Sequence, residues 1–209
     1  MIVEFLGAPG AGKTYLLRQV TCAEDVVVKV ASKKDALYGL SLFAVRHPLA
    51  FCVWCVVLCT YGRSLFRYKT GLVVRAMAAR MFAEREDARK MIYIDEGILQ
   101  RLLTVFDRPL SQREAAFMLR TMPLPDVVVL VRGGDFERFR LAQNRGNSPR
   151  VQQGDVALSV WMNGVRESLR AIGAILPAMT RVITCTRGQP DAEPGALRRQ
   201  IEQCRTMLL

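Results

Sequence analysis

Gly7-Ala8-Pro9-Gly10-Ala11-Gly12-Lys13-Thr14 matches the phosphate-loop pattern GxxxxGK[ST] at every fixed position. Glycines at these spacings let the backbone curl so that successive N–H groups face phosphate oxygens, and a helix starting at the end of the loop adds its positive pole. Lys13 then reaches the β- and γ-phosphates, the Thr14 hydroxyl ligates Mg²⁺, and Tyr15 follows directly as a further nucleotide-contacting candidate. The ligand expected from this Walker A motif is a nucleoside triphosphate, ATP, together with Mg²⁺.

A second chemical centre lies at Met91-Ile92-Tyr93-Ile94-Asp95-Glu96-Gly97, an apolar run that ends in two carboxylates. Asp95 is placed to share the Mg²⁺ shell with Thr14. Glu96 is then free to take a proton from an attacking hydroxyl or water. Gln100 and Arg101 follow on the same stretch and are candidates to approach an acceptor. The plainer alternative for the acidic pair is an ordinary helix N-terminus, which favours carboxylates near its dipole.

The third centre is the segment from Arg132 to Arg150, with Arg138, Arg140 and Arg145 between. Phosphoryl transfer develops negative charge on the transferred group, so cations that close over it are the expected device. Arg145, before Gly146, is the first candidate for that role and Arg138 the next, with Arg140 and Arg150 as partners. A solvated basic face or a nucleic-acid patch is the competing reading. Only Phe136 and Phe139 interleave the basic residues, which disfavours nucleic acid.

Short β-branched runs alternating with helical segments must position these residues, which predicts an α/β protein around a mainly parallel sheet. Strands are expected at Ile2–Leu6, Val26–Val30, Met91–Ile94, Val127–Val131 and Arg181–Cys185. Helices are expected at Gly12–Cys22, Leu40–Tyr61, Gly71–Arg89, Glu96–Phe106, Ser111–Thr121, Asp155–Ile172 and Gly195–Met207. The resulting architecture is a three-layer P-loop NTPase fold with five strands, in a single domain over residues 1–209. Residues of about 32–90 form a helical insertion on the acceptor side, and residues of about 133–152 form an arginine-rich lid.

A chain of 209 residues that is 51% hydrophobic can bury a substantial core. Its formal charge of +11 calls for an anionic partner, whether nucleotide, nucleic acid or acidic lipid headgroup. Six cysteines and an opening straight into a strand-like run give a cytoplasmic expectation. Cys52 and Cys55 have CxxC spacing without a second ligand pair, so buried apolar thiols are expected there, not a metal centre. The only histidine, His47 before Pro48, has no metal partner in the sequence. The apolar run Leu49–Leu58 is shorter than the roughly 18 residues of a membrane span. It reads as a buried helix or as an interfacial surface flanked by Arg63, Arg67 and Lys69, giving a peripheral membrane contact through residues 49–69.

Taken together, the phosphate loop, the strand ending Asp95-Glu96-Gly97, Pro125–Leu130 followed by Arg145-Gly146, and the last strand leading into Arg187-Gly188 resemble the P-loop nucleoside and nucleotide kinases. The likeness is to their thymidylate-kinase-like branch, including kinase-like proteins of bacterial polysaccharide synthesis. The resemblance implies that residues near Arg187 line the base and that the protein forms a homodimer. Family members commonly carry Asp-Arg or Glu-Arg-Ser where this chain has Asp95-Glu96. The leading expectation is Mg²⁺-dependent phosphate transfer from ATP to a small acceptor: a nucleoside, a nucleotide or a sugar-type metabolite. The alternatives are an ATPase or switch acting with nucleic acid or protein, and a nucleotide-binding scaffold at a membrane surface.

Overall fold

The computed structural model describes residues 1–61, 65–133, 155–186 and 193–207. All five expected strands form: β1 Ile2–Gly7, β2 Val26–Val28, β3 Ile92–Ile94, β4 Val127–Arg132 and β5 Arg181–Thr186. They make one sheet in the order β2-β3-β1-β4-β5, and every neighbouring pair is parallel. Near-continuous apolar strands follow from this arrangement, because helices cover both faces. Val3 and Phe5 of β1 pack on one face with Val127, Val129, α1 Lys13–Val20 and α8 Pro194–Thr206. Leu6 packs on the other face with Val128, Leu130 and the remaining helices.

The insertion between β2 and β3 consists of α2 Lys33–Arg46, α3 Pro48–Tyr61 and α4 Phe66–Arg85. Ser32 starts α2 by accepting the Asp35 N–H at 3.0 Å. The single helix expected over Leu40–Tyr61 is in fact two, bent by 118° at His47-Pro48. Proline lacks the N–H that would continue α2 and is pre-set for the first position of a new helix. Glu84 of α4 fastens the bend: Arg46 Nε lies 2.8 Å away, His47 Nε2 3.0 Å and Arg80 Nε 2.6 Å. His47 is therefore a structural residue.

Two expectations about the apolar run need correction. Ala50, Trp54, Val57 and Leu58 of α3 are buried as expected, but Cys52, Cys55 and Cys59 are exposed beside Leu49 and Val56. The helix buries only one face, and the apolar residues continue around the other. Lys69 is not available to a lipid headgroup: it is fully buried, with Nζ 2.7 Å from Asp107 Oδ2. Arg63 lies outside the described residues, and Arg67 is exposed. Among the described residues no single helix is long and apolar enough to cross a membrane.

After β3 come α5 Ile98–Val105 and α6 Gln112–Thr121, the latter opened by a capping box between Ser111 and Glu114. After β4 comes α7 Asp155–Ile175, which runs into a short 3₁₀ turn, Leu176–Ala178, ahead of β5. The lid expected at about 133–152 begins at the described Gly133, and its remainder lies outside the described residues.

Candidate active site

β1 and β3 are parallel neighbours with Glu4 opposite Ile94, so the loop after Gly7 and the acids after Ile94 emerge at the same carboxyl edge. The chain reverses direction across the sheet beside β1, the place where open α/β sheets form their ligand crevice. Gly10 and Gly12 have φ of 80° and 91°, which residues with a Cβ adopt only under strain. Gly12 is the N-cap of α1 and offers no capping side chain. The first N–H groups of that helix are therefore available to an anion.

Lys13 is half-buried, and its ammonium donates to Gly7 O at 2.9 Å and Ala8 O at 3.1 Å. Burial lowers its pKa to about 8, against the opposing pull of Glu96 and Asp95. The Thr14 hydroxyl donates to both carboxylate oxygens of Asp95 at 3.1 Å. That separation is close to the roughly 3 Å between neighbouring oxygens on an octahedral Mg²⁺ shell of about 2.1 Å radius. The pair thus fits the metal the sequence implies. Burial raises the Asp95 pKa, as does the neighbouring Glu96 charge, while the Thr14 hydrogen bond and Lys13 oppose the shift. Tyr15 stands on the exposed side of α1 at 63% exposure.

Glu96 projects outward with its side chain 60% exposed, and Arg101 Nη2 meets its carboxylate at 2.5 Å. Burial would raise the Glu96 pKa, but Arg101 and then Lys13 outweigh it and hold the carboxyl below its ordinary value. Arg101 is itself buried, and among the described residues its Nε has no hydrogen-bond partner. The sequence spacing suggested that Gln100 and Arg101 approach an acceptor. Arg101 instead turns back on Glu96, and Gln100 is buried beneath the loop, accepting the Gly7 N–H at 3.3 Å.

Sequence reasoning missed Glu4, which is 3% exposed. Its carboxylate accepts the Gln100 N–H at 3.2 Å. Gly97 is required beside it, since a Cβ there would collide with the Glu4 carboxyl. Burial pushes the Glu4 pKa up to about 7, despite the N–H groups of Gln100 and Leu99 and the charges of Arg80 and Arg101. Glu4 and Gln100 thereby tie the phosphate loop to the start of α5. The available signal was a lone acid in an otherwise apolar strand.

Two cavities bear on an acceptor. One of about 350 Å³ lies between α3 and α6, lined by Val53, Val56, Phe117 and Met118 among others, and none of its described lining belongs to the phosphate loop. The other, of about 580 Å³, touches the loop at Ala8 and is walled by β4 and α7. The insertion at about 32–90, expected to hold the acceptor pocket, does not contribute to its described lining. Arg138, Arg140, Arg145, Arg150 and Arg187 lie outside the described residues.

No family model matches the chain, and no curated protein matches it by sequence. Solved structures do. Deoxyadenosine kinase from M. mycoides with bound dATP aligns with a TM-score of 0.53 and 8% identity, covering 97% of this chain and 99% of that one. The same enzyme with products dCMP and a flexible dCDP gives 0.55 and 8%, covering 99% and 100%. With dCTP it gives 0.52 and 11%, covering 97% and 100%. The chain shares the fold of this P-loop nucleoside kinase over nearly its whole length.

Proposed function

We propose that this protein transfers the γ-phosphate of ATP to a small-molecule acceptor with Mg²⁺ as cofactor. The observation that carries the reading is the meeting of a complete phosphate loop, the Thr14–Asp95 oxygen pair and the outward Glu96 at one edge of a kinase-fold sheet. The loop N–H groups and Lys13 hold the β- and γ-phosphates. Thr14 and Asp95 hold Mg²⁺, which when bound neutralises charge on the phosphate oxygens. An acceptor hydroxyl oxygen bonds to the γ-phosphorus as the bond to the β–γ bridging oxygen breaks. The electron pair leaves with ADP, and the hydroxyl proton passes to Glu96. With its pKa held down by Arg101, Glu96 serves chiefly by accepting a hydrogen bond from the hydroxyl and orienting it. Arg145 and Arg138 are assigned to the charge on the transferred group and Arg187 to the base, on the sequence and the resemblance alone.

The neighbours in structure are kinases with deoxynucleotides bound, which supports a nucleoside, nucleotide or related sugar metabolite as acceptor. A thymidylate-kinase-like substrate, a cytoplasmic location and a homodimer belong to the same proposal. The test measures ADP and phosphorylated product from purified protein with and without a panel of nucleosides, nucleotides and sugars. Acceptor-dependent turnover that falls by about 10²–10³ in Lys13→Ala supports the reading. Fast acceptor-free hydrolysis sinks it. That outcome would favour the second reading, an ATPase or switch acting with nucleic acid or protein, for which the solvent exposure of Glu96 is the supporting observation. The exposed apolar side of α3, followed in sequence by the exposed Arg67, supports peripheral attachment to an anionic membrane, which sedimentation with anionic liposomes would test.

A further inference from the structure

Three arginines converge on the cavity beside the phosphate loop. Its walls are Ala8, the end of β4 at Leu130 and Arg132, and the side of α7 that carries Arg166 and Arg170. Residues four apart share a helix face, so Arg166 and Arg170 point the same way. No carboxylate appears in the described lining. Some arginines elsewhere pair with acids, as Arg80 does with Glu84, Arg108 with Glu114, and Arg198 with Asp25 and Glu202. Others, such as Arg18, Arg67 and Arg75, make no ion pair among the described residues; what sets Arg132, Arg166 and Arg170 apart is that they line one cavity. Among the described residues Arg132 and Arg170 make no ion pair or side-chain hydrogen bond, and Arg166 reaches only Asn163 Oδ1 at 3.4 Å.

Like charges gathered around one space repel one another, and an anion between them removes that cost. Guanidinium forks match phosphate oxygens and hold them by paired, charge-assisted hydrogen bonds. The proposed donor triphosphate has its own partners in the Lys13 ammonium and the loop N–H groups, which leaves these arginines for a second anion. All three are exposed to solvent, where an acceptor that carries a phosphate would meet them. The remaining lining, Leu130, Leu169 and Gly173, is apolar or small and suits the uncharged body of a ligand. The volume of about 580 Å³ falls within the range of small-molecule sites.

We infer that this cavity is the acceptor subsite and that the acceptor is a phosphomonoester of sugar-phosphate type, held by Arg132, Arg166 and Arg170 while a separate hydroxyl receives the γ-phosphate. The transfer step rests on the kinase reading above; recognition of the phosphate group does not. The acceptor phosphate stays intact, and the bonds made and broken are those of the transfer already described.

The test separates the two. With a non-hydrolysable ATP analogue and Mg²⁺ filling the loop, inorganic phosphate is titrated into the whole protein and followed by phosphorus NMR line broadening. Saturable binding that weakens by about tenfold or more in Arg166→Ala/Arg170→Ala, with affinity for the analogue unchanged, is expected. Binding retained in that double variant overturns the inference, as does absence of binding to the wild type. Lost affinity for the analogue also overturns it, because the arginines would then serve the donor. Arg166→Lys/Arg170→Lys keeps the charge and should recover part of the binding, which separates phosphate recognition from a folding defect. Transfer assays with sugars and their phosphates supply the second arm. Phosphate binding without transfer to any acceptor would remove the kinase reading and leave the subsite standing. Transfer to free sugars or nucleosides in preference to their phosphates would do the reverse.

Discussion

Folding makes Lys13 a weaker base than a solvated lysine, and that gives its role a pH signature. Burial brings its pKa down to about 8. Only the charged form attracts phosphate, so ATP affinity should hold below about pH 8 and fall above it, with proton uptake on binding near that pH. Calorimetry across this range should show the fall in the wild type and not in Lys13→Ala; parallel profiles would remove Lys13 from phosphate binding. Glu4 is shifted the opposite way for a carboxylate, up to about 7 from 4.5. Between those values the folded state holds a proton that the unfolded state has released. Stability from this group is therefore greatest below about pH 4.5 and declines as pH rises to about 7. Glu4→Gln should flatten that decline and, above pH 7, raise stability by up to about 3 kcal/mol. An unchanged slope in denaturant titrations at several pH values would show that the burial cost lies elsewhere.

At the scale of elements, the bend between α2 and α3 depends on Glu84, whose carboxylate faces Arg46, His47 and Arg80. Burial opposes its ionisation, but Arg80 and His47 outweigh this and lower its pKa. Its contribution to stability is present above the unfolded carboxylate pKa and is lost as pH falls through the lower folded value. Glu84→Ala should cost about 2 kcal/mol at neutral pH, less than a fully buried pair because Arg46 is exposed. A shift much below 1 kcal/mol in urea unfolding would mean that Pro48 alone sets the bend. Elements of this kind were only partly legible in the sequence. The strands were, because each is a short β-branched run covered on both faces. The meeting of the phosphate loop with Asp95 was, because both follow adjacent parallel strands at the same carboxyl edge. The bend was not, since an apolar run gives no period to break and only His47-Pro48 marks it. Nor was the pairing of Glu4 with Gln100, or the shared cavity of Arg132, Arg166 and Arg170. The first depends on β1 meeting α5 and the second on β4 meeting α7, which local spacing does not encode.

For the molecule as a whole, a formal charge of +11 is large beside the few cations that any one phosphate group can engage. The excess acts at a distance, as a field that would speed the encounter with an anionic nucleotide before any contact forms. Such a field reaches about 30 Å at 0.01 M salt and only about 10 Å at 0.1 M. The contacts proposed to hold ATP, the loop N–H groups and a half-buried Lys13, are shorter-ranged and less screened. The association rate of a fluorescent ATP analogue should therefore drop by about tenfold between these salt concentrations, while its dissociation rate changes by less than about threefold. Stopped-flow mixing reads both rates directly. A dissociation rate that carries most of the salt effect would mean that exposed surface charges grip the bound nucleotide, and would move the centre of recognition from the phosphate loop to the basic surface around it.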